Sequence, residues 1–363
     1  MTDTLTVPPT ALEPLPGQAP PLIDLRSDTV TRPTPAMYER MRTAALGDDG
    51  LDGDPTAREL EALAARTLGK EAGLYVPTAT MGNLLAVLAQ VRRQGQVVLE
   101  SSAHMFLTER GGATLSGTAY VGLAGAAGAM DLTALASALR PSGALPTELV
   151  CMETTHVNAG GAVLPLAHMQ AVHDLAHGAG ARVHVDGARL FNAAVALGVA
   201  PAVVARHADT VSICLSKGLS APAGAVLAGP AQTIARARRL RKMLGGTQRQ
   251  IGLLAAAGLE AIETMPHQLA HDHATARRLG DALRTLRPGV VGITAPITNI
   301  VFVELPDAVP DSAAWARELA QHGVLIRPWG PRRIRLVTHR HIGAACIDTA
   351  AEGFRQAARA LLG

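Results

Sequence analysis

The chain has 363 residues, 48% of them hydrophobic, which is enough for one large buried core plus a smaller unit and rules out a disordered or fibrous protein. A formal charge of +3 and an aromatic content of 2% supply neither a polyelectrolyte surface nor stacking platforms for single-stranded nucleic acid. Three widely separated cysteines, Cys151, Cys214 and Cys346, form no C-x-x-C pair, so they suggest no zinc cage or disulfide framework and suit a reducing cytoplasm.

Residues 1–22, with "MTDTLTVPPTALEPLPGQAPP", carry no basic n-region and no apolar h-region, so they read as an extended proline-rich tail and not as a signal peptide. No uncharged apolar run reaches 18 residues, and no membrane span is expected. In "GDPTARELEALAARTLG" the pattern predicts a helix capped by Asp54, opened by Pro55, apolar along Leu60, Leu63 and Ala64, and stopped at Gly69. Strands are expected at 72–76, 96–100, 148–153, 181–186, 210–216 and 223–229, many of them apolar on both faces. Helices sit between them, so the fold class is α/β: a large unit over 23–265 with a mostly parallel central sheet covered by helices. The basic run "RARRLRKMLGG" has helical spacing and reads as a solvated helix face. Over 266–363 the pattern turns to helix, strand, helix, strand and final helix, a small α+β unit.

Ligands in such sheets gather past the carboxyl ends of the strands, which directs attention to 78–80, 153–156, 186–189 and 216–218. No G-x-G-x-x-G follows the first strand and no Walker-type loop exists, so a dinucleotide or P-loop site is not expected. The loop "PTATMGN" joins a strand to a helix and offers backbone N–H groups to a phosphate, although Thr80 could equally act as an ordinary cap. Asp186 ends a strand in "HVDGARLF" and could accept a hydrogen bond from a protonated ring nitrogen. Arg189, three residues on, could fork onto a carboxylate, or the two could form a structural pair. Lys217, in "VSICLSKGLSAP", is either a lysine snorkelling to the surface or an amine made nucleophilic by apolar surroundings. Taken together, an aspartate, a lysine one strand later and a phosphate-cradling turn upstream form the layout of a pyridoxal phosphate site.

The sequence resembles the low-specificity L-threonine aldolases, pyridoxal-phosphate enzymes of the aspartate-aminotransferase fold type (fold type I), from about Ile23 to the end. The matching stretches, in order, include "DLRSDTVTRPT", "GDD" with "DPT", "TMGN", "HMF", "THV", "HVDGARLFNA", "CLSKGL", "RKMLGG", "RQ" and "RLVTH". The resemblance implies that Lys217 is the Schiff-base lysine and Asp186 the pyridinium partner. It implies that His104 stacks on the ring near the substrate hydroxyl, and that Ala79, Thr80 and Gly82 belong to the phosphate loop. Arg249 matches an arginine that supports the phosphate from a neighbouring subunit. Ser27, Arg189 and Arg335 match the clamp on the substrate carboxylate, and His156 matches a second histidine near the β-hydroxyl. No metal site is expected at "HDH" (271–273) or "HRH" (339–341).

The chain departs from the family pattern at Leu51, where an aromatic is usual, and at Thr108, Val157 and Asn158. Thr78 and Ala79 replace a serine and a glycine, which is tolerable at Ala79 if its φ is negative. The expected activity is retro-aldol cleavage of L-threonine, L-allo-threonine or a related β-hydroxy-α-amino acid to glycine and an aldehyde, with His104 or His156 taking the hydroxyl proton. A related β-eliminating lyase, or an aldolase for phenylserine or β-hydroxyaspartate, is the neighbouring alternative. The expected partner is a small amino acid, and the expected assembly a homodimer or homotetramer, with no nucleic acid or membrane partner.

Overall fold

The computed structural model describes residues 22–92, 95–140, 145–286 and 289–363. Apart from Leu22, the proline-rich tail lies outside the described residues. Seven strands form the central sheet: β1 (Ala72–Val76), β2 (Gln96–Glu100), β3 (Ala119–Leu123), β4 (Thr147–Glu153), β5 (Arg182–Gly187), β6 (Thr210–Cys214) and β7 (Ala225–Gly229). Their spatial order is β1-β7-β6-β5-β4-β2-β3. Strands β2 to β6 pair in parallel, and β7 alone runs antiparallel, between β6 and β1. The sheet is therefore mostly parallel, as the sequence led us to expect. Every residue of β6 and β7 is buried, which explains their continuous apolar runs. Strand β3 was not anticipated, because as an edge strand it stays half exposed and lacks such a run.

Helix α1 (Pro55–Leu68) begins and ends at the expected residues. Asp54 Oδ1 accepts the Ala57 amide at 2.9 Å, Pro55 opens the first turn, and Gly69 ends it at φ 64°. Asp54 Oδ2 accepts the Gly47 amide at 3.0 Å, so the same buried carboxylate also anchors the preceding loop. Against expectation, the basic run in α3 (Ala231–Met243), which follows α2 (Ala79–Gln90), is only partly solvated. Arg241 is 2% exposed and donates to the Tyr75 carbonyl at 2.6 Å and to Asp49 at 2.5 Å. Arg236 and Arg239 face water, Arg238 is partly buried against Glu61, and Arg241 turns inward, where Asp49 of "GDD" provides its counter-charge.

A second sheet holds β8 (Gly292–Ile293), β9 (Ile300–Glu304), β10 (Arg327–Pro328) and β11 (Arg333–Val337) in the order β8-β9-β11-β10, all antiparallel. Its core centres on Trp315 and Phe354, both fully buried. Ile23 and Leu25 join this second core, with Ile23 paired to Val324. The first described segment thus runs along the second core and delivers residues 26–31 toward the large sheet, where Thr31 bonds the Lys217 carbonyl. Helix α4 (Pro266–Arg284) spans both cores: Leu269 packs in the first, Ala276, Leu279 and Leu283 in the second. Among the described residues no helix is long and apolar enough to cross a membrane, and all three cysteines are free thiols.

Asp272, on α4, is fully buried, with Oδ1 accepting from Gln268 at 3.1 Å and Oδ2 without a partner. Burial pushes its carboxyl up to about 7. A folded-state value above the unfolded one adds stability that is complete below about pH 4 and is lost as pH rises through 7. Asp272→Asn should therefore raise the melting temperature more at pH 8 than at pH 5. Calorimetry at both pH values checks this, and an equal shift at the two would contradict it.

Candidate active site

At the carboxyl edge of the parallel strands lies a cavity of about 220 Å³. Its wall holds Ser27, Ala79, Thr80, His104, Asp186, Arg189, Lys217 and Arg335, which the sequence had singled out, together with Thr108, Glu109, Glu153, Thr155, Val157, Arg327 and Trp329. A larger cavity of about 350 Å³ is lined by Asn158, one of the departures from the family pattern, but by none of the anticipated catalytic or binding residues. The concentration of an amine, carboxylates and an imidazole makes the smaller one the candidate active site.

Lys217 follows β6 in a tight turn, where its carbonyl accepts the Ser220 amide at 2.9 Å and the Thr31 hydroxyl at 2.8 Å. Ser220 adopts a left-handed φ of 62° to close that turn. The lysine backbone is pinned from two sides while its side chain lines the cavity.

Asp186, at the end of the adjacent strand, accepts the Ala188 amide at 3.1 Å and Asn83 Nδ2 at 3.1 Å. Behind Asn83 stands a buried chain of donors. Gln90 Nε2 lies 2.9 Å from Thr210 Oγ1, Thr210 Oγ1 lies 2.9 Å from His184 Nδ1, and His184 Nε2 lies 3.0 Å from Asn83 Oδ1. Burial pushes His184 down to about 4, so it is neutral and has one N–H to give. Asn83 Nδ2 must donate to Asp186, so Asn83 Oδ1 must be the acceptor for that N–H.

His104 begins a π-helical turn, Met105–Glu109. In a π turn residues five apart meet on one face, and His104 Nδ1 lies 3.0 Å from Glu109 Oε1. The turn ends at Arg110, whose φ of 50° is a strained left-handed conformation for a non-glycine residue. Glu109 also accepts from Thr80 and from Asn83, so one carboxylate ties the imidazole to the donor chain under Asp186. The hydrogen bond from Glu109 raises the His104 pKa against an opposing effect of burial. Below the ring, Glu153 accepts the amides of His104 at 2.6 Å and Val157 at 2.7 Å, and burial pushes its own carboxyl up.

Arg189 does not pair with Asp186. Its guanidinium makes a buried bidentate pair with Asp28, at 2.7 and 2.6 Å, and Asn299 adds a third donor to that carboxylate. Although burial opposes it, Arg189 holds Asp28 well below the usual carboxylate range. Arg335 is in the opposite condition: one N–H reaches the Arg26 carbonyl at 3.1 Å, and Nε has no partner among the described residues. Burial, with Arg189 and Arg327 nearby, pushes its pKa down to about 9, and a bound anion would relieve that stress. Ser27 Oγ caps the short helical turn that follows it, accepting the Thr29 amide at 3.3 Å.

Three anticipated residues do not line the cavity. His156 is fully buried behind the wall between Thr155 and Val157, its Nε2 3.1 Å from Glu100. Glu100 and Glu153 raise its pKa although burial acts against the charge. Arg249 is 71% exposed and lies 3.3 Å from Asp48, outside the cavity of its own chain. Gly82 lies in the first turn of α2, where an added Cβ would come within 2.8 Å of Ser212 Oγ. The cap of α2 is Thr78, whose Oγ1 accepts the Met81 amide at 3.1 Å, and not Thr80. Thr80 is thereby released toward the cavity, and Ala79 is the first helical residue, absent from the positive-φ positions. Of the departures from the family pattern, Thr108 and Val157 face the cavity, whereas Leu51 is 77% exposed and lines neither cavity.

Sequence reasoning gave no role to Glu109, Asn83, Asp28 or Trp329, although Asn83 and Asp28 lie inside the motifs "TMGN" and "RSDT", and it marked Glu153 only as part of the strand end 153–156. His104, Glu109 and Asp186 bring donor atoms within 4.8 Å of one another. In "HDH" and "HRH" the side chains of His273, His339 and His341 are taken up by Asn192, the Asp24 carbonyl and the Arg32 amide.

The fold is that of the pyridoxal-phosphate-dependent transferases. Its likeness to the threonine aldolase of Leishmania major has a TM-score of 0.77 over 93% of this chain and 99% of that one, at 18% identity. The sequence pattern of the beta-eliminating lyases matches residues 24–308. Low-specificity L-threonine aldolase 1 of Arabidopsis thaliana is 41% identical over 92% of this chain and 96% of its own length. The low specificity L-threonine aldolase of Escherichia coli strain K12 is 38% identical over 88% and 94%. The chain belongs to the beta-eliminating lyase family and, within it, to the low-specificity L-threonine aldolases.

Because Glu109 stabilises the protonated imidazole, Glu109→Gln should lower the His104 pKa. If His104 acts as a base, the acidic limb of the kcat/KM profile should move to lower pH. A pH–rate comparison of the two proteins checks this, and an unmoved limb would separate Glu109 from the base.

Proposed function

We propose that this chain is a pyridoxal-phosphate-dependent lyase that cleaves L-threonine, L-allo-threonine or a close β-hydroxy-α-amino acid to glycine and an aldehyde. The observation that carries this reading is the convergence of Lys217, Asp186 and His104 from three strand ends on one cavity. The residues present fit the cofactor. The first-turn amides of Ala79 and Thr80 have no intrahelical acceptor and suit a phosphate. Asp186, which receives only donors, would hold a protonated pyridine nitrogen. Lys217 supplies the amine, and the buried Thr155 hydroxyl in the wall has no partner among the described residues. Bound there, pyridoxal phosphate supplies an electron sink for a carbanion at Cα.

The protein's own side chains would carry the rest. Arg335 has donors to spare and binds the substrate carboxylate, while Arg189, held by Asp28, shapes the floor beneath it. Glu109 accepts the hydrogen bond from His104 Nδ1–H, which fixes the tautomer and leaves Nε2 as the lone pair that removes the β-hydroxyl proton. As that proton leaves, the Cβ–O bond becomes a carbonyl and the Cα–Cβ electron pair stays with Cα. Thr108 and Val157 border the space for the β-substituent. His156 reaches the chemistry only indirectly, through Glu153 and the His104 amide.

We further propose a large cofactor-binding unit and a small C-terminal unit that meet near residue 265, a homo-oligomer in which Arg249 serves a neighbouring site, and a cytoplasmic location suited to free thiols.

Lys217→Ala should abolish both turnover and the visible absorbance of the bound cofactor, and a variant that kept both would overturn the assignment. Asp186→Asn should cost about a hundredfold or more in turnover and much less in cofactor affinity. Equal losses in the two would make Asp186 merely structural. Product analysis decides the reaction: glycine with an aldehyde supports it, and ammonia with a keto acid refutes it.

A further inference from the structure

We propose that Trp329 is a positioning residue for Arg335, setting the plane of its guanidinium for the substrate carboxylate, and that Asn158 holds the indole in place. This rests on the reading of Arg335 as the carboxylate ligand.

Arg335 is 3% exposed and has no carboxylate partner, so hydrogen bonding alone does not account for its place. What lies against it is an aromatic face: its Cζ is 4.1 Å from the centroid of the Trp329 ring. A guanidinium held over an indole ring is attracted to that face by its charge and keeps its N–H bonds in its own plane, directed outward from the edge. Those in-plane donors match the two oxygens of a carboxylate. The orientation of the ring therefore decides where the fork points. A rotated ring would leave the charge buried and the fork misaimed.

The ring is itself fixed across the junction of the two units. Its Nε1 donates to Asn158 Oδ1 at 3.2 Å, and Asn158 Nδ2 donates to the Ser102 carbonyl at 2.6 Å, two residues before His104. Around the indole pack Val157, Ile300, Phe302 and Val337. Val157 and Asn158 are two positions where the chain departs from its family pattern; Asn158 bonds the indole and Val157 belongs to the cluster it packs against. Trp329 itself stands in the link between β10 and β11.

The test uses holoenzyme and two ligands that differ in one group: glycine, which carries the carboxylate, and glycinamide, which does not. Binding is followed by the change in visible absorbance, without turnover. Trp329→Ala should weaken glycine about tenfold or more and leave glycinamide within about twofold, with the KM for threonine rising in parallel and kcat changing little. Trp329→Phe keeps the stacking face and should stay near wild type, with the small loss expected of Asn158→Ala. In an Arg335→Lys background, Trp329→Ala should add little, because the two act as one unit. Near-ultraviolet circular dichroism and melting of each variant exclude misfolding. Equal loss of glycine and glycinamide, or a lower KM for phenylserine with threonine unchanged, would overturn the proposal and make Trp329 a wall of the side-chain pocket. Failure of wild-type holoenzyme to cleave any β-hydroxy amino acid would count against the proposed function alone, because the binding comparison stands without it.

Discussion

A carboxylate at the buried end of a strand needs hydrogen-bond donors, and Asp186 has two, the backbone amide of Ala188 and the side-chain amide of Asn83. The direction of that amide is not free. His184 is kept neutral by burial and has one N–H to donate; it can only take Asn83 Oδ1, which turns Nδ2 toward Asp186 and Glu109. From the second of these the constraint passes to His104, held at Nδ1 by Glu109. Acid, amide and imidazole thus share one orientation, set by residues that never touch the cavity, such as Thr210 and Gln90. Apart from Gln90 Oε1, which has no partner among the described residues, the buried donors and acceptors of this network are paired, and such pairing holds a site to a fixed geometry.

The other half of the cavity is built by charge brought from far along the chain. Arg189 is buried at no cost in unpaired charge because Asp28 meets it with both oxygens and Asn299 fills a remaining lone pair. Arg335 lacks such a partner and has an aromatic face in its place. The two arginines looked alike in the sequence, each a candidate clamp. Their surroundings separate them: one is a strut, and the other, with a donor unpaired, is the proposed receptor for an anion.

Much of this was legible from residue order alone. The apolar runs located six of the seven central strands, and Asp54, Pro55 and Gly69 bounded α1 to the residue, since caps and turns depend on neighbours one to four positions apart. Lys217 and Asp186 were recognisable because each terminates such a run, and strand ends are where an α/β sheet collects its ligands. Burial on both sides makes interior strands legible in this way, whereas β3 at the edge carries no such mark.

What could not be read were choices between equivalent local patterns. Nothing in the helical spacing of the basic run says that Arg241 turns inward to Asp49. A π turn differs from an α turn by one residue in its register, yet it alone brings Glu109 onto His104. Whether Arg189 meets Asp186 or Asp28, and whether His156 faces the cavity or Glu100, depends on how segments more than fifty residues apart cross. Periodicity and capping act over a few residues and are written in the order of the chain. Partner choice between distant charges is made by packing, where burial makes each unpaired group costly and leaves one arrangement that satisfies them together.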